Sequence, residues 1–272
     1  MKSSDALSPS ESSSAPRRCG SPAPILLDEV DSTNRWVRDR FFELPDGVLV
    51  AARRQTAGRG RLGRRWISPP DTNLTVTARI ARIESGFHGG AILGLAALDM
   101  VREAAPELDP YLKWPNDLYL GIGKLGGLLC EGVLEKGRLV GVAAGIGINV
   151  NMTGEELALL DRPGASMRAA SGRVFSLEKL LGELAKWFAR WYIIYQKDCG
   201  EVTAAWRREN RLLGSPVTVT DSRGERWDGV FSDLAPDGSL VMRLSSGETR
   251  RFDCGDVSLS RESLRGFIPR RS

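Results

Sequence analysis

A chain of 272 residues with 38 basic and 34 acidic side chains, net charge +4, has room for one large domain and a small one and is too weakly basic to coat nucleic acid along its length. One histidine, His88, and four scattered cysteines (Cys19, Cys130, Cys199, Cys254) with no Cys-x-x-Cys pair argue against a zinc site, a disulfide framework and any mechanism needing two histidines or a Cys–His cluster, and make a reducing cytoplasm the expected compartment. The longest apolar run, Ala91 to Leu98, is too short to cross a membrane, and no hydrophobic stretch of a secretory signal follows Lys2.

Residues 1–24 are rich in Ser and Pro and poor in large apolar side chains. They cannot bury enough surface to offset ordering entropy and are expected to be disordered, with no room for a helix-turn-helix domain. Ile25 to Val30 reads as a strand. Asp31-Ser32-Thr33-Asn34 then precedes Trp36, Val37 and Phe41 at helical spacing, with Ser32 or Asp31 as the cap. A helix start of this kind also offers hydroxyls, an amide and free N–H groups to a polar ligand.

Gly47 to Arg53 reads as a strand entering a loop, Gln55-Thr56-Ala57-Gly58-Arg59-Gly60-Arg61-Leu62-Gly63-Arg64-Arg65-Trp66, and Asn73 to Ile80 as the strand leaving it. From Arg53 to Arg65 there are six arginines, three glycines and no acid. So cationic a loop repels itself, which points to an anion as its occupant. Glycine lets backbone N–H groups approach a ligand, and the arginine fork suits phosphate and carboxylate oxygens. Taken alone, the loop fits a cradle for a phosphorylated small molecule, an RNA contact or a solvated turn. Its place between two strands favours the cradle.

Phe87 to Ala104 has the periodicity of a buried helix, with His88 at its start in a structural role. In Lys113-Trp114-Pro115-Asn116-Asp117, Pro115 interrupts two strand-like runs and Asn116-Asp117 forms a turn. Lys124-Leu125-Gly126-Gly127 follows. Leu128 to Leu134 and Arg138 to Asn149 read as a hairpin around Glu135-Lys136-Gly137. Its second strand ends Gly145-Ile146-Gly147-Ile148-Asn149, a glycine pattern that suggests a ligand lying against the sheet. Ser176 to Tyr195 is an amphipathic helix capped by Ser176, and Glu201 to Leu212 a second one. From Pro216 onward, short strands (Val217 to Thr220, Trp227 to Leu234, Ser239 to Leu244, Thr249 to Phe252, Val257 to Leu259) alternate with glycine turns, as in a small β-barrel.

Together, and in this order, Ser32-Thr33-Asn34, Gly-Arg-Gly-Arg-x-Gly-Arg-x-Trp, Lys-Trp-Pro-Asn-Asp, Lys-Leu-x-Gly and the glycine strand closely resemble the biotin–protein ligases, from about Ile25 to the carboxyl end. The resemblance implies an α+β fold: a mixed, mostly antiparallel sheet with helices packed on it, the class II synthetase-like biotin/lipoate ligase catalytic fold, over residues 25–212. An SH3-like β-barrel over 213–272 would follow. It implies ATP-dependent activation of biotin as biotinyl-5′-AMP and transfer to a lysine of a biotin carboxyl carrier protein domain.

By the same resemblance Ser32, Thr33, Asn34 and Gln55 hold the ureido ring, with Gly127 and Gly145 beside it. Arg59, Gly60 and Arg61 close over the biotin carboxylate and phosphate. Lys124 meets the oxygen shared by carboxylate and α-phosphate, and Lys124, Arg59 and Arg61 are the catalytic set. Arg61, Arg64, Trp66, Lys113 and Asn149 contact ATP, and Asp117 helps place Mg²⁺. The type implied is ligase-only, with no DNA partner and no membrane, as a monomer or a homodimer. The last strand, Val257-Ser-Leu-Ser-Arg, departs from the more usual Ser-Leu-Arg. A lipoate–protein ligase of the same fold is the nearest alternative; an RNA-binding protein is the alternative of another class.

Overall fold

The computed structural model describes residues 22–253 and 255–259. The disorder expected for residues 1–24 falls outside these except at Pro22, Ala23 and Pro24, as do Cys19, Cys254 and the end of the Val257-Ser-Leu-Ser-Arg run.

A seven-stranded sheet forms the large unit, built from β1 (Ile25–Val30), β2 (Leu49–Gln55), β3 (Leu74–Ala81), β4 (Pro110–Lys113), β5 (Asp117–Leu120), β6 (Gly123–Glu135) and β7 (Arg138–Ile148), in the order β1-β2-β3-β7-β6-β5-β4. Only β1 and β2 run parallel; the other pairs are antiparallel. Side chains alternate across a strand, so each strand sorts its residues to two faces. On β3, Val76, Ala78 and Ile80 are buried in the main core, and on β7 so are Val142, Ala144, Ile146 and Ile148. That core lies under α2 (Gly86–Ala104), α5 (Leu177–Lys197) and α6 (Cys199–Glu209), where each fully buried Val, Leu or Ile contributes about 1.5–3 kcal/mol. On the other face α1 (Thr33–Asp39) packs Val37 against Val48, Val50 and Ala143.

Several boundaries differ from the sequence expectation, each for a local reason. Ser32 occupies the N-cap position of α1 without a side-chain cap bond, and the helix stops before Phe41. Strand β6 starts at Gly123, because Lys124 to Gly127 pair with β5; Asp117 accordingly opens β5 instead of completing a turn. Helix α6 ends at Glu209, where the Asn210 side chain turns back to accept from the Leu212 N–H. Two short helices, α3 (Gly154–Ala158) and α4 (Met167–Ser171), were not anticipated. The first carries a capping box between Thr153 and Glu156.

Strands β8 (Pro216–Thr220), β9 (Arg226–Leu234), β10 (Leu240–Leu244), β11 (Thr249–Phe252) and β12 (Asp256–Leu259) form the smaller antiparallel sheet, ordered β11-β10-β9-β8-β12. Its β9–β10 turn meets the large unit: the buried Trp114 indole N–H donates to the Gly238 carbonyl at 2.8 Å, and the Thr203 hydroxyl donates to the Pro236 carbonyl at 3.2 Å.

His88 is buried, and desolvation holds its pKa below the ordinary 6.5. One histidine–cysteine contact does form, away from the sheet face that carries the site. The starts of α2 and α6 bring His88, Cys199 and Glu84 together, with ligand atoms within 4.8 Å of one another; spacing along the chain carries no trace of that tertiary contact. No helix among the described residues is long and apolar enough to cross a membrane.

Candidate active site

The sheet face opposite α2 carries the site. Its residues are the alternate positions left over by the core: Thr75 and Thr77 on β3, Gly145 and Gly147 on β7, and Gly127, Leu129 and Glu131 on β6, with Gly127 opposite Gly147 and Leu129 opposite Gly145. A Cβ on Gly145 would lie 2.0 Å from Asn34 Oδ1, and one on Gly147 2.3 Å from Trp66 Cε2. The glycines therefore make room for two side chains of the protein. The expectation of a ligand lying directly on this strand is corrected at these two positions, since Asn34 and the indole of Trp66 intervene.

At one end a polar network is already closed on itself. The Thr33 N–H and hydroxyl both donate to Gln55 Oε1, at 2.8 and 3.1 Å. Thr77 Oγ1 lies 2.8 Å from Thr33 Oγ1 and 2.7 Å from Asn34 Oδ1. Asn34 Nδ2 donates to the Leu129 carbonyl at 2.9 Å and to Glu131 at 3.0 Å. Ser32, Thr33, Asn34 and Thr77 are all buried, so their orientation is fixed before any ligand arrives.

The arginine loop closes over this network through an Arg59–Arg65 bridge and a turn of 3₁₀ helix at Arg61–Gly63. Its charge is not all directed inward. Arg53 faces Glu178 at 2.9 Å and Asp71 at 3.4 Å, and Arg54 faces Glu29 at 2.8 Å. The four that line the cavity are Arg59, Arg61, Arg64 and Arg65. Arg59 donates to both oxygens of Glu131 at 3.1 Å, and Arg61 to Asn116 Oδ1 at 3.0 Å. Lys124 Nζ sits 2.5 Å from Asp117 Oδ1. Lys113 donates to the Tyr119 hydroxyl at 3.3 Å, and its ammonium lies 4.8 Å from the centre of that ring. Asn149 spends its amide on the backbone, donating to the Ala165 and Lys124 carbonyls at 3.1 and 3.3 Å. Burial pushes the Cys130 thiol up to about 12, so β6 offers no thiolate nucleophile.

Every site residue singled out from the sequence lines one cavity of 470 Å³: Ser32, Thr33, Asn34, Gln55, Arg59, Gly60, Arg61, Arg64, Trp66, Lys113, Asp117, Lys124, Gly127, Gly145 and Asn149. That volume suits a small-molecule ligand. The segment Leu160 to Gly164 and Val257 of the smaller sheet complete the wall; nothing in the sequence pattern marked them. Glu131, which collects Arg59, Arg38 and Asn34, was also missed. Its signal is period two: it stands four residues beyond Gly127, on the same face of β6.

Comparison with known proteins agrees with this geometry. Residues 26–149 match the biotin/lipoate A/B protein ligase family, and residues 212–260 match the biotin protein ligase C-terminal domain. The biotin–[acetyl-CoA-carboxylase] ligase of Paracoccus denitrificans is 32% identical over 235 residues, 82% of this chain and 95% of that one. Its counterpart from Mycobacterium tuberculosis is 32% identical over 222 residues, 78% and 79% of the two chains. Among solved structures, the biotin protein ligase from Aquifex aeolicus in complex with biotin and ATP superposes with a TM-score of 0.72 at 26% identity, covering 88% of this chain and 98% of that one. Fold, glycine-lined cavity and relatives converge: the chain belongs to the biotin–protein ligase family.

Proposed function

We propose that this chain joins biotin to ATP, giving biotinyl-5′-AMP and pyrophosphate, and then passes the biotinyl group to one lysine of a biotin carboxyl carrier domain in the cytoplasm. One observation carries it: four polar clusters distant in sequence converge on a single cavity whose one end is a fixed neutral hydrogen-bonding network and whose rim is cationic. A neutral ureido ring suits the first, and a carboxylate meeting a triphosphate suits the second.

In the first step a biotin carboxylate oxygen bonds to the α-phosphorus, and the bond to pyrophosphate breaks. In the second the lysine amine bonds to the biotinyl carbonyl, AMP leaves with the bonding pair and the amine loses a proton. Neither step needs a protein nucleophile. The protein's work is to hold two mutually repelling anions in line and to neutralise charge as it develops. Thr33, Asn34 and Gln55, with Ser32, orient the ureido ring, and Gly145 leaves the room that Asn34 occupies. Arg59, Gly60 and Arg61 fold over the carboxylate and phosphate. Trp66 packs beside the nucleotide base, and Arg64 and Lys113 reach its phosphates.

Lys124 meets the oxygen shared by carboxylate and α-phosphate in this reading. Magnesium binds through one or two carboxylates together with phosphate oxygens. Asp117, 17% exposed and 2.5 Å from Lys124, supplies one such carboxylate, so the residues present fit the ion. When bound it would offset the negative charge of the phosphates.

Biotin-dependent exchange of labelled pyrophosphate into ATP tests the assignment. Wild type is expected to exchange only with biotin, and Lys124→Ala to lose about 10²–10³-fold, the size of one preorganised electrostatic contact. Exchange with lipoate in place of biotin, or none with either, would overturn it.

A further inference from the structure

We propose that Glu84, His88 and Cys199 form a binding site for a zinc-type divalent cation, outside the active-site cavity. Their ligand atoms lie within 4.8 Å of one another, brought there by two helix starts: Glu84 precedes α2, His88 lies in its first turn, and Cys199 opens α6. Thiolate, imidazole and carboxylate together are a donor set for zinc or cobalt and not for magnesium or calcium. The Cys199 thiol already donates to Glu84 Oε1 at 3.4 Å; a cation takes the place of that proton, which leaves to solvent as the sulfur–metal bond forms.

The surroundings suit a coordinated imidazole. Ligating histidines usually have a hydrogen-bonding partner on the other ring nitrogen. Here each nitrogen has one, Ser85 Oγ at 3.0 Å from Nδ1 and Thr203 Oγ1 at 3.4 Å from Nε2, so whichever nitrogen binds metal, the other stays oriented. Glu84 and Cys199 line a surface groove of 970 Å³, and His88 is buried beside them. Tetrahedral zinc bonds of about 2.0–2.3 Å set the ligand atoms closer than they now stand. Glu84 is exposed and already 3.4 Å from the Cys199 sulfur, so the remaining approach is that of the imidazole to this pair. Three protein ligands leave a fourth position for water. Occupancy would clamp the start of α2 to that of α6, one turn before Thr203 grips the turn of the smaller sheet.

Cobalt titration of the purified full-length chain, followed by displacement with zinc, tests the site. The expected result is a single ion per chain, with a near-ultraviolet thiolate-to-cobalt band that zinc removes. Cys199→Ser abolishes the band, and Glu84→Gln weakens binding by tenfold or more. Both changes lie at the groove and leave the α2 core in place, so circular dichroism and pyrophosphate exchange of the metal-free variants confirm that they fold. No band in the wild type would overturn the proposal. So would a band that persists in Cys199→Ser, which would assign the thiolate to another cysteine.

Discussion

Gly147→Ala separates the two ends of the cavity. The new methyl would stand 2.3 Å from Trp66 Cε2 and 2.6 Å from both Cζ2 and Nε1, where carbon contacts are ordinarily about 3.5–4.0 Å. More than an ångström must be found. The indole cannot sink, because it already rests on β7 at Gly147. It must slide toward the cavity. Overpacking of this kind costs about 1–3 kcal/mol, and if that falls on the substrate meeting Trp66, the KM for ATP rises about 5- to 150-fold. Biotin affinity, governed by the Thr33–Asn34–Gln55 network, stays within about twofold, since mutations without shared partners add nearly independently.

Gly145→Ala makes the opposite demand. Its methyl would fall 2.0 Å from Asn34 Oδ1, in a side chain that is 4% exposed and bonded to Thr77, Leu129 and Glu131. Displacing it strands buried polar groups at about 1–3 kcal/mol each, and the loss appears in biotin binding. Calorimetric titration with biotin alone and exchange rates against ATP concentration read the two ends separately. A Gly147→Ala protein that loses biotin as severely as ATP, or loses neither, would refute the placement of Trp66 at the nucleotide end.

Glu131→Gln weakens the hold on Arg59, a pair whose arginine is 45% exposed and so worth about 1 kcal/mol at most. Limited proteolysis of the ligand-free variant between Thr56 and Arg65 should then run roughly three- to fivefold faster, with biotin and ATP slowing it in both proteins; equal cutting with and without ligands would contradict a loop that closes on its substrates. Trp114→Phe removes the donor to the Gly238 carbonyl and is expected to cost about 1–3 kcal/mol, several degrees of melting temperature, which calorimetry would detect; an unchanged melting point would mean that this bond does not secure the smaller sheet. The Asp237 carboxyl lies below its ordinary 3.8 because the Ser239 N–H, the Ser239 hydroxyl and Arg251 all favour its anion. A depressed folded-state pKa gives stability that is present above the unfolded value and lost as pH falls through the folded one. Asp237→Asn should therefore melt lower than wild type at pH 7, with the gap narrowing as pH falls below 3.8; parallel curves across that range would refute the linkage.

What could be read from the sequence was what a few neighbouring residues decide. The alternation Thr75-Val76-Thr77-Ala78 marks β3 as a strand with one apolar face, and Gly145-Ile146-Gly147-Ile148 does the same for β7; the polar or glycine half of each pattern lines the site. Lys136 and Gly137, both at positive φ, turn β6 into β7 where the hairpin was expected. Strand β6 was read to start five residues late because Lys124-Leu125-Gly126-Gly127 has little strand propensity of its own and is extended only by its ladder with β5. Contacts between elements left no such trace. Asn34 finds Thr77, Arg59 finds Glu131, Trp114 finds Gly238 and His88 finds Cys199 only once the sheet and helices are assembled. The arginine loop makes the point in electrostatic terms. Six arginines within thirteen residues suggest a field of six charges, yet Arg53 and Arg54 turn to acids on other elements and Arg59 is bound by Glu131. Arg61, Arg64, Arg65 and Lys124 line the cavity a ligand would enter, with Asp117 2.5 Å from Lys124. Anions that enter the cavity are expected to compete with Glu131 for Arg59, the arginine that this pair holds at the loop.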